Sequence, residues 1–205
     1  IAQLKYENKI RHCETMMAIW SARNLSPMGK NTILKSLILP KLNHLFSALP
    51  NPPDPIIDKF EKKCFKFIWG NKPDKVKRTQ IVCDKENGGI NCPKIRETIC
   101  SQKVAMIRRA YISNSKWQYL FFKNTPLIKE FNVYEVMTKD HRREILNRIS
   151  NPFYRDLVKC WWIYVDGINK DYLSDADMMS QPIWFHDNIK VGNKTVFNKK
   201  LYDES

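Results

Sequence analysis

The chain has 205 residues, of which 43% are hydrophobic and 27% are charged. That length and composition suit one ordinary domain or two small ones, and they exclude fibrous structure and extensive disorder. Lysine and arginine total 35 against 21 acidic residues, for a formal net charge of +14. This basic excess favours a polyanionic partner, nucleic acid before an anionic membrane surface, while a merely basic globular protein is the alternative.

The targeting signals of secreted and membrane proteins are missing from the sequence. No apolar run approaches the roughly 18–20 residues of a membrane-spanning helix, and the first residues do not resemble a secretory signal. Because the sequence begins with Ile1, we expect a piece of a longer product. The six cysteines form no C-x-x-C pair and are expected to be reduced thiols of an intracellular protein, in the cytoplasm or nucleus.

Helical periodicity dominates the first 50 residues. Residues 4–23 are predicted to form an amphipathic helix, and Ser26-Pro27 is typical of the start of the next one, because serine caps the first turn and proline needs no N–H there. Its predicted apolar face consists of Leu34, Ile38, Leu42, Leu45 and Leu49. Pro40 lies within this pattern, so we expect it to kink the helix or split it in two.

A further helix is predicted after a stiff proline-rich connector at 50–53. Asp54-Pro55 is typical of its first turn and Gly70 of its end. Its predicted apolar stripe consists of Ile56, Phe60, Cys64 and Phe67. A separate arc of about 100° carries Lys59, Lys62, Lys63 and Lys66. Like charges stacked in this way repel each other, and a bound polyanion would neutralise them.

The basic character continues beyond this helix, at Lys72, Lys75, Lys77 and Arg78. We predict that the stretch from 59 to 78 contacts phosphates, and the alternative is an ordinary solvated surface. If four to six phosphates are neutralised, log K should fall with log salt concentration at a slope of about −3 to −5.

The residues after Gly70 form a mixed region. Residues 70–94 are predicted to be irregular, with candidate short strands at 79–82 and around Ile90. Helical spacing returns over 95–111, an aromatic segment follows at 117–122, and Asn151-Pro152 is typical of another helix start. The tail is predicted to form loops and a hairpin around Gly192-Asn193. The predicted fold class is therefore mainly α, with a helical bundle over 1–70 followed by a mostly helical, aromatic-rich region over 71–205.

The tryptophans divide into two groups at this stage. Trp20, Trp69 and Trp161 lie on apolar stripes or at their ends and are expected in the core. Trp117 and Trp162 are undecided between burial and stacking on bases.

Signals of catalysis or metal binding are weak in this sequence. The four histidines lack metal-ligand spacing, and neither a glycine-rich phosphate loop nor a G-x-S-x-G motif is present. Cys83, Cys92 and Cys100 have an unusual spacing for a metal cluster. Asp175 and Asp177 form a D-x-D pair, which we interpret as a surface turn rather than as part of a two-metal site.

Several short stretches follow one another along the chain. They are Arg23-x-Leu25-Ser26-x-x-Gly29-Lys30, Lys35-x-x-Ile38-Leu39-Pro40-Lys41-Leu42, Phe67-Ile68-Trp69-Gly70, Lys85-Glu86-Asn87-Gly88-Gly89-Ile90 with Pro93, Ile107-Arg108-Arg109, Asn114 with Trp117, Pro182-Ile183-Trp184 and Asn188-Ile189-Lys190-Val191-Gly192. In this order they resemble the region that follows the polymerase domain in LINE-type non-LTR retrotransposon reverse transcriptases. The resemblance covers nearly the whole chain.

The resemblance implies that residues 1–70 are the helical thumb of such an RNA-directed DNA polymerase and that residues 71–205 are its connector, or wrist. A thumb grips the primer–template backbone without reading bases. The candidate nucleic-acid-binding residues are Arg23, Lys30, Lys41, Lys59, Lys62, Lys63, Lys66, Lys72, Lys75, Lys77 and Arg78. Lys35 also suits this role, or lies along a core edge. The expected partners are RNA, an RNA–DNA hybrid or a DNA duplex, and an upstream polymerase palm, with no membrane.

The sequence also departs from that family's catalytic pattern. The polymerase site of the family uses an aromatic-x-Asp-Asp motif in the palm to bind two Mg²⁺ ions, and this sequence contains no Asp-Asp pair. We therefore expect no catalysis by this chain alone and no cofactor in it, since Mg²⁺ would be bound by the absent palm. The alternatives are a stand-alone basic helical interaction module, a non-functional retrotransposon remnant, or a hydrolase or nuclease that rests on Asp175, Asp177 and scattered carboxylates.

Overall fold

The computed structural model describes residues 2–70, 72–112, 114–125, 139–167, 190–191 and 194–195. These residues are mainly α-helical, which confirms the predicted fold class. Their helices are α1 (Ala2–Ser21), α2 (Pro27–Ile33), a π-helix (Leu34–Ile38), α3 (Pro40–Ala48), α4 (Asp54–Trp69), α5 (Arg78–Val82), α6 (Ile95–Ile112), α7 (Lys116–Asn124), α8 (Lys139–Arg148) and α9 (Pro152–Gly167). Strands β1 (Lys190–Val191) and β2 (Lys194–Thr195) pair in antiparallel fashion, as the predicted hairpin requires.

The chain divides into two compact units, residues 1–103 and 104–205, and the division falls within α6. The core of the first unit includes Ile81, Cys92, Ile95 and Ile99 together with residues of α1 to α4. Residues 81–99 therefore pack with the helices that precede Gly70. The assignment of residues 1–70 as a thumb and of 71–205 as a connector stays a prediction.

The helix that follows Ser26 begins where the sequence predicts, and it is interrupted at Pro40, also as predicted. Ser26 Oγ accepts a hydrogen bond from the Gly29 N–H at 3.2 Å, and Pro27 occupies the first turn. Pro40 separates α3 from the preceding helix, and the five residues before Leu39 are π-helical. The Leu39 N–H donates to the Leu34 carbonyl at 2.9 Å. This wider turn accommodates a proline ring that has no N–H to donate.

The apolar faces on either side of Pro40 and along α4 pack as predicted, with small shifts. The buried members are Leu34, Ile38, Leu42, Leu45, Phe60, Cys64 and Phe67, while Leu49 is half-buried. On α4, Ile57 is buried and the predicted Ile56 is half-buried. Gly70 ends α4 in the left-handed conformation, at φ 62° and ψ 44°, which glycine adopts at low cost.

The predicted strands at 79–82 and around Ile90 are wrong. Residues 78–82 form the short helix α5, and Ile90 lies in an irregular segment. The Ile90 and Cys92 N–H groups both donate to the Ile81 carbonyl, and Asn31 Nδ2 donates to the Ile90 carbonyl at 2.7 Å. A β-carbon at Gly89 would collide with the Cys83 carbonyl. Backbone hydrogen bonds to the end of α5 therefore hold this segment, and no strand partner is needed.

Aromatic side chains form much of the core of the second unit. The ring of Trp117 stacks on Tyr154 at a centroid distance of 6.0 Å, and its Nε1–H donates to the Met106 carbonyl at 2.9 Å. Asn151 Oδ1 accepts a hydrogen bond from the Phe153 N–H at the start of α9, as predicted. Trp161 is buried as expected, and so is Trp162. Helix α8 was missed because its sequence is strongly polar.

The predictions for the tryptophans of the first unit and for the acidic pair are confirmed only in part or lie outside the described residues. Trp20, Trp69 and Trp117 are half-buried, so the first two lie at the edge of the core rather than inside it. The D-x-D pair at Asp175 and Asp177 lies outside the described residues.

Candidate nucleic-acid interface

The lysine arc of α4, defined as Lys59, Lys62, Lys63 and Lys66, faces away from the core. Lys59, Lys62 and Lys66 are exposed, and they form no ion pair with any residue that the structure describes. Lys63 is half-buried and pairs with Glu14 of α1. Three ammonium groups of the arc are therefore open to a ligand, and the fourth already has a carboxylate partner.

The basic surface continues past Gly70. Lys72, Lys75 and Lys77 are exposed. Arg78 Nε donates to Asp74 Oδ2 at 2.8 Å, and its guanidinium lies over the Phe65 ring at 4.7 Å from the centroid. Arg78 is thus held in place by an acidic partner, whereas the three lysines have no ion-pair partner among the residues that the structure describes.

Lys30 differs most from what the sequence suggested. Its side chain is only 8% exposed, and its ammonium lies 5.8 Å from the centroid of the Phe67 ring, beside the Gly70 that ends α4. A cation at this position stabilises the negative end of the α4 dipole. The position favours a structural role for Lys30 over contact with phosphate.

The other cations of the first 41 residues vary in accessibility. Arg23 is exposed, and its guanidinium lies 4.3 Å from the centroid of the Trp20 ring. Lys41 is half-buried, near the buried thiol of Cys13. Lys35 is exposed rather than placed along a core edge. Arg23 and Lys35 are therefore the accessible members of this group.

One exposed basic face was missed at the level of the sequence. In α7, Lys116, Tyr119, Leu120 and Lys123 are all exposed and fall within about 100° of the helix circumference. Tyr119 is 66% exposed, and Lys123 Nζ lies 5.8 Å from the centroid of its ring. The spacing of these residues was the available signal, but the neighbouring Trp117, Phe121 and Phe122 gave the segment an apolar appearance.

The buried thiols of Cys13, Cys64 and Cys92 are neutral at neutral pH. Burial raises the pKa of Cys13 to about 11 and that of Cys92 to about 11, and it raises the pKa of Cys64 further. Nearby Lys9 and Lys41 oppose the shift at Cys13 without cancelling it. A thiol in this form is a poor nucleophile and a poor metal ligand. Within the described part of the chain, no group of three or more His, Cys, Asp or Glu residues could hold a metal ion.

No family model matches this chain. In the ranges that the structure describes, every helix is too short or too polar to cross a bilayer. The arrangement at α4 presents exposed lysines at regular spacing that are unpaired among the described residues.

Proposed function

We propose that this chain grips the backbone of a nucleic-acid duplex, as the thumb and connector of a non-LTR retrotransposon reverse transcriptase. The observation that carries the proposal is a row of ammonium groups at Lys59, Lys62 and Lys66, continued at Lys72, Lys75 and Lys77, that have no ion-pair partner in the part of the chain that the structure describes. The ordered motifs that resemble this family support the same assignment. The partners would be an RNA–DNA hybrid or another duplex, together with an upstream palm.

The spacing of the arc suits a phosphate backbone. Lys59 and Lys66 are seven residues apart, which is about 10 Å along the helix axis. One strand of a duplex advances about 3.4 Å per phosphate. With α4 parallel to the duplex axis, the arc would therefore span the axial rise of about three phosphates, and it presents three lysines that are unpaired among the described residues.

The type of cation matters as much as the number. Lysine is a point charge on a flexible chain, and it binds phosphate without fixing a base. A polymerase has to accept every sequence, so contacts of this kind are what a thumb requires. The pairing of Lys63 with Glu14 links α4 to α1, whereas the outer lysines have no such partner among the described residues.

The test of this proposal is a titration of the whole chain with labelled RNA–DNA hybrid at increasing salt. We expect log K to fall with log salt at a slope of about −3 to −5. Replacement of Lys59, Lys62 and Lys66 by glutamine should make the slope shallower by about 3, because about 0.9 is lost per phosphate contact. No binding at about 50 mM salt, or a slope near zero, contradicts the proposal.

A matched control separates this surface from net charge. Lys5, Lys85 and Lys159 are also exposed and form no ion pair with residues in the described ranges. Their replacement by glutamine changes the net charge equally. The control variant should keep the affinity and slope of the wild type, and an equal loss in both variants would show that the charge acts without a defined surface.

The exposed face of α7 supports a second contact, with unpaired bases. An exposed ring flanked by lysines suits stacking on a single strand, and such stacking contributes about 1–3 kcal/mol per base. Tyr119→Ala should therefore weaken the binding of single-stranded RNA at least about fivefold. Tyr119→Phe should restore it, since the ring is what stacks.

A basic interaction module is the second candidate function. Exposed apolar side chains favour it, namely Leu4 and Ile19 on α1, each 60% exposed, and Ile163 on α9, 61% exposed. This candidate predicts a chain that self-associates or captures a protein and binds hybrid duplex without a salt-dependent slope. Sedimentation of the purified chain together with the hybrid titration separates the two.

A further inference from the structure

A cleft of about 360 Å³ opens in the first unit, on the side of α4 away from the lysine arc. Glu61, which lines the cleft, lies about 200° around the helix from Lys59. The walls come from the π-helix, α4, α5 and the segment at 92–97. Their apolar part includes Leu34, Leu39, Cys64, Phe65, Cys92 and Ile95.

The cations at the mouth of this cleft already have carboxylate partners. Arg78 pairs with Asp74 at 2.8 Å, and Lys94 Nζ pairs with Glu97 Oε1 at 2.7 Å. Arg96 pairs with both Asp54 and Asp58 on the first turns of α4. The positive charge of the mouth is therefore compensated.

Glu61 differs from the other charged groups at the mouth of the cleft, because it has no partner of opposite charge among the described residues. It is half-buried against the cleft, and it forms no hydrogen bond or ion pair with any residue that the structure describes. The lining carries three cations, Arg78, Lys94 and Arg96, against two carboxylates, Glu61 and Glu97, and Lys35 acts on Cys92 from nearby. Asp54, Asp58, Asp74 and Glu97 compensate the three lining cations, so Glu61 is the charged group of the lining that has no partner among the described residues.

We propose that this cleft binds a small organic amine with an apolar body. The Glu61 carboxylate accepts a hydrogen bond from the ammonium group, a charge-assisted contact that is stronger than a neutral one. The ring of Phe65 and the aliphatic walls cover the hydrocarbon part. A volume near 360 Å³ is at the small end of ligand sites, so the ligand has few heavy atoms. The proposal does not depend on nucleic-acid binding.

The test uses the full chain and hexylamine as the probe, with calorimetric titration as the readout. Hexan-1-ol has the same body without the charge, and hexanoate carries the opposite charge. We expect hexylamine to bind about tenfold more tightly than hexanol, and hexanoate to bind more weakly than either. Equal affinities for hexylamine and hexanol would show a purely apolar cleft and overturn the proposal, as would no binding of hexylamine.

The variant Glu61→Gln keeps the shape of the side chain and removes its charge. It should lower the affinity for hexylamine about tenfold and leave that for hexanol unchanged. Glu86→Gln is the matched control, because Glu86 is exposed and lies outside the cleft lining. If the two variants behave alike, the carboxylate of Glu61 does not hold the amine, and the proposal fails.

A measurement on the unmutated chain keeps the proposal testable should Glu61→Gln fail to fold. Cys92 lines the cleft and Cys83 does not. At pH 9, saturating hexylamine should slow the alkylation of Cys92 by iodoacetamide several-fold and leave the rate at Cys83 unchanged. Unchanged rates at both cysteines would place the amine elsewhere and contradict the proposal. Neither test involves nucleic acid, so failure here is distinguishable from failure of the proposed function.

Discussion

The two sides of α4 carry opposite charge within 16 residues. One side presents Lys59, Lys62 and Lys66 to solvent, and none of the three has an ion-pair partner within the described ranges. The other carries Asp54, Asp58 and Glu61, of which the two aspartates pair with Arg96. Between the lysine face and the carboxylate face, on one side of the helix, lies the apolar stripe that includes Phe60 and Cys64. This stripe packs into the core.

This contrast shows that helical phase, rather than composition, decides which charges a helix presents together. Summed along α4, four lysines and three carboxylates leave a net charge of only +1. Sorted by angle, the same residues give a face of lysines and a face of carboxylates. The two faces are rigidly linked because they belong to one helix, so changes to α4 can act on both faces or on one.

The largest expected effect comes from removing the apolar support that both faces share. Phe60 is 1% exposed, and Phe60→Ala leaves a cavity in the core of the first unit. Substitutions of this kind cost about 3–5 kcal/mol. Denaturant unfolding monitored by circular dichroism should show the loss, and the binding of hybrid and of hexylamine should fall together. Leu120→Ala on the exposed face of α7 is the control and should leave stability nearly unchanged. A loss of one binding activity alone would show that the faces do not share this support.

Much of this arrangement was predictable from local sequence. The start of α2 at Ser26-Pro27, the split at Pro40, the bounds of α4 and the lysine arc all follow from short-range rules, namely capping, ring geometry and residues per turn. The start of α9 at Asn151-Pro152 follows in the same way. Where the backbone satisfies its own hydrogen bonds within a few residues, sequence patterns indicate structure well.

The rest depends on contacts between distant residues. Residues 79–82 looked like a strand, but Ile81 is buried as part of a short helix, and its carbonyl accepts hydrogen bonds from the 90–92 segment. Nothing in the sequence placed Lys30 against Phe67, 37 positions away. The cleft could not be predicted from the sequence either, because Arg96 lies next to Asp54 and Asp58 only in the folded chain. These features are long-range, and no local rule contains them.

A smaller effect is expected where α4 ends. Gly70 has φ 62°, and a β-carbon there would lie 3.2 Å from Lys30 Nζ. Gly70→Ala should therefore cost about 1 kcal/mol in the stability of the first unit. It should also change the direction in which the backbone leaves α4, and so displace Lys72, Lys75 and Lys77 relative to the lysine arc. We therefore expect hybrid binding to weaken and hexylamine binding to be retained. Gly167→Ala, where a β-carbon meets open space, is the control. Equal loss of both activities would contradict a separation of the two faces.

A finer comparison lies within the lysine arc itself. Lys62 is unpaired among the described residues, whereas Lys63 pairs with Glu14. Lys62→Gln should make the salt slope of hybrid binding shallower by about 0.9, the contribution of one phosphate contact. Lys63→Gln should change the slope less and should slightly lower thermal stability, because Glu14 loses its partner. The salt titration and a thermal melt of both variants test this. Equal slopes in the two variants would show that Glu14 does not compete with phosphate.

The smallest effect is expected on the acidic side, at Arg96. Hydrogen bonds to Asp54 and Asp58 raise the pKa of Arg96 above its usual value, so it is charged at every working pH. Arg96→Gln removes that charge and leaves both aspartates unpaired beside the cleft. Because all three side chains are largely exposed to solvent, water screens their charges, and stability should change little. Calorimetry should show hexylamine binding tightened by about twofold at low salt, with the difference lost at high salt. Hybrid binding should weaken slightly, because Asp58, freed from Arg96, lies one turn from Lys62 on α4 and can pair with it. Weaker amine binding in this variant would mean that Arg96 shapes the cleft rather than offsetting its negative charge.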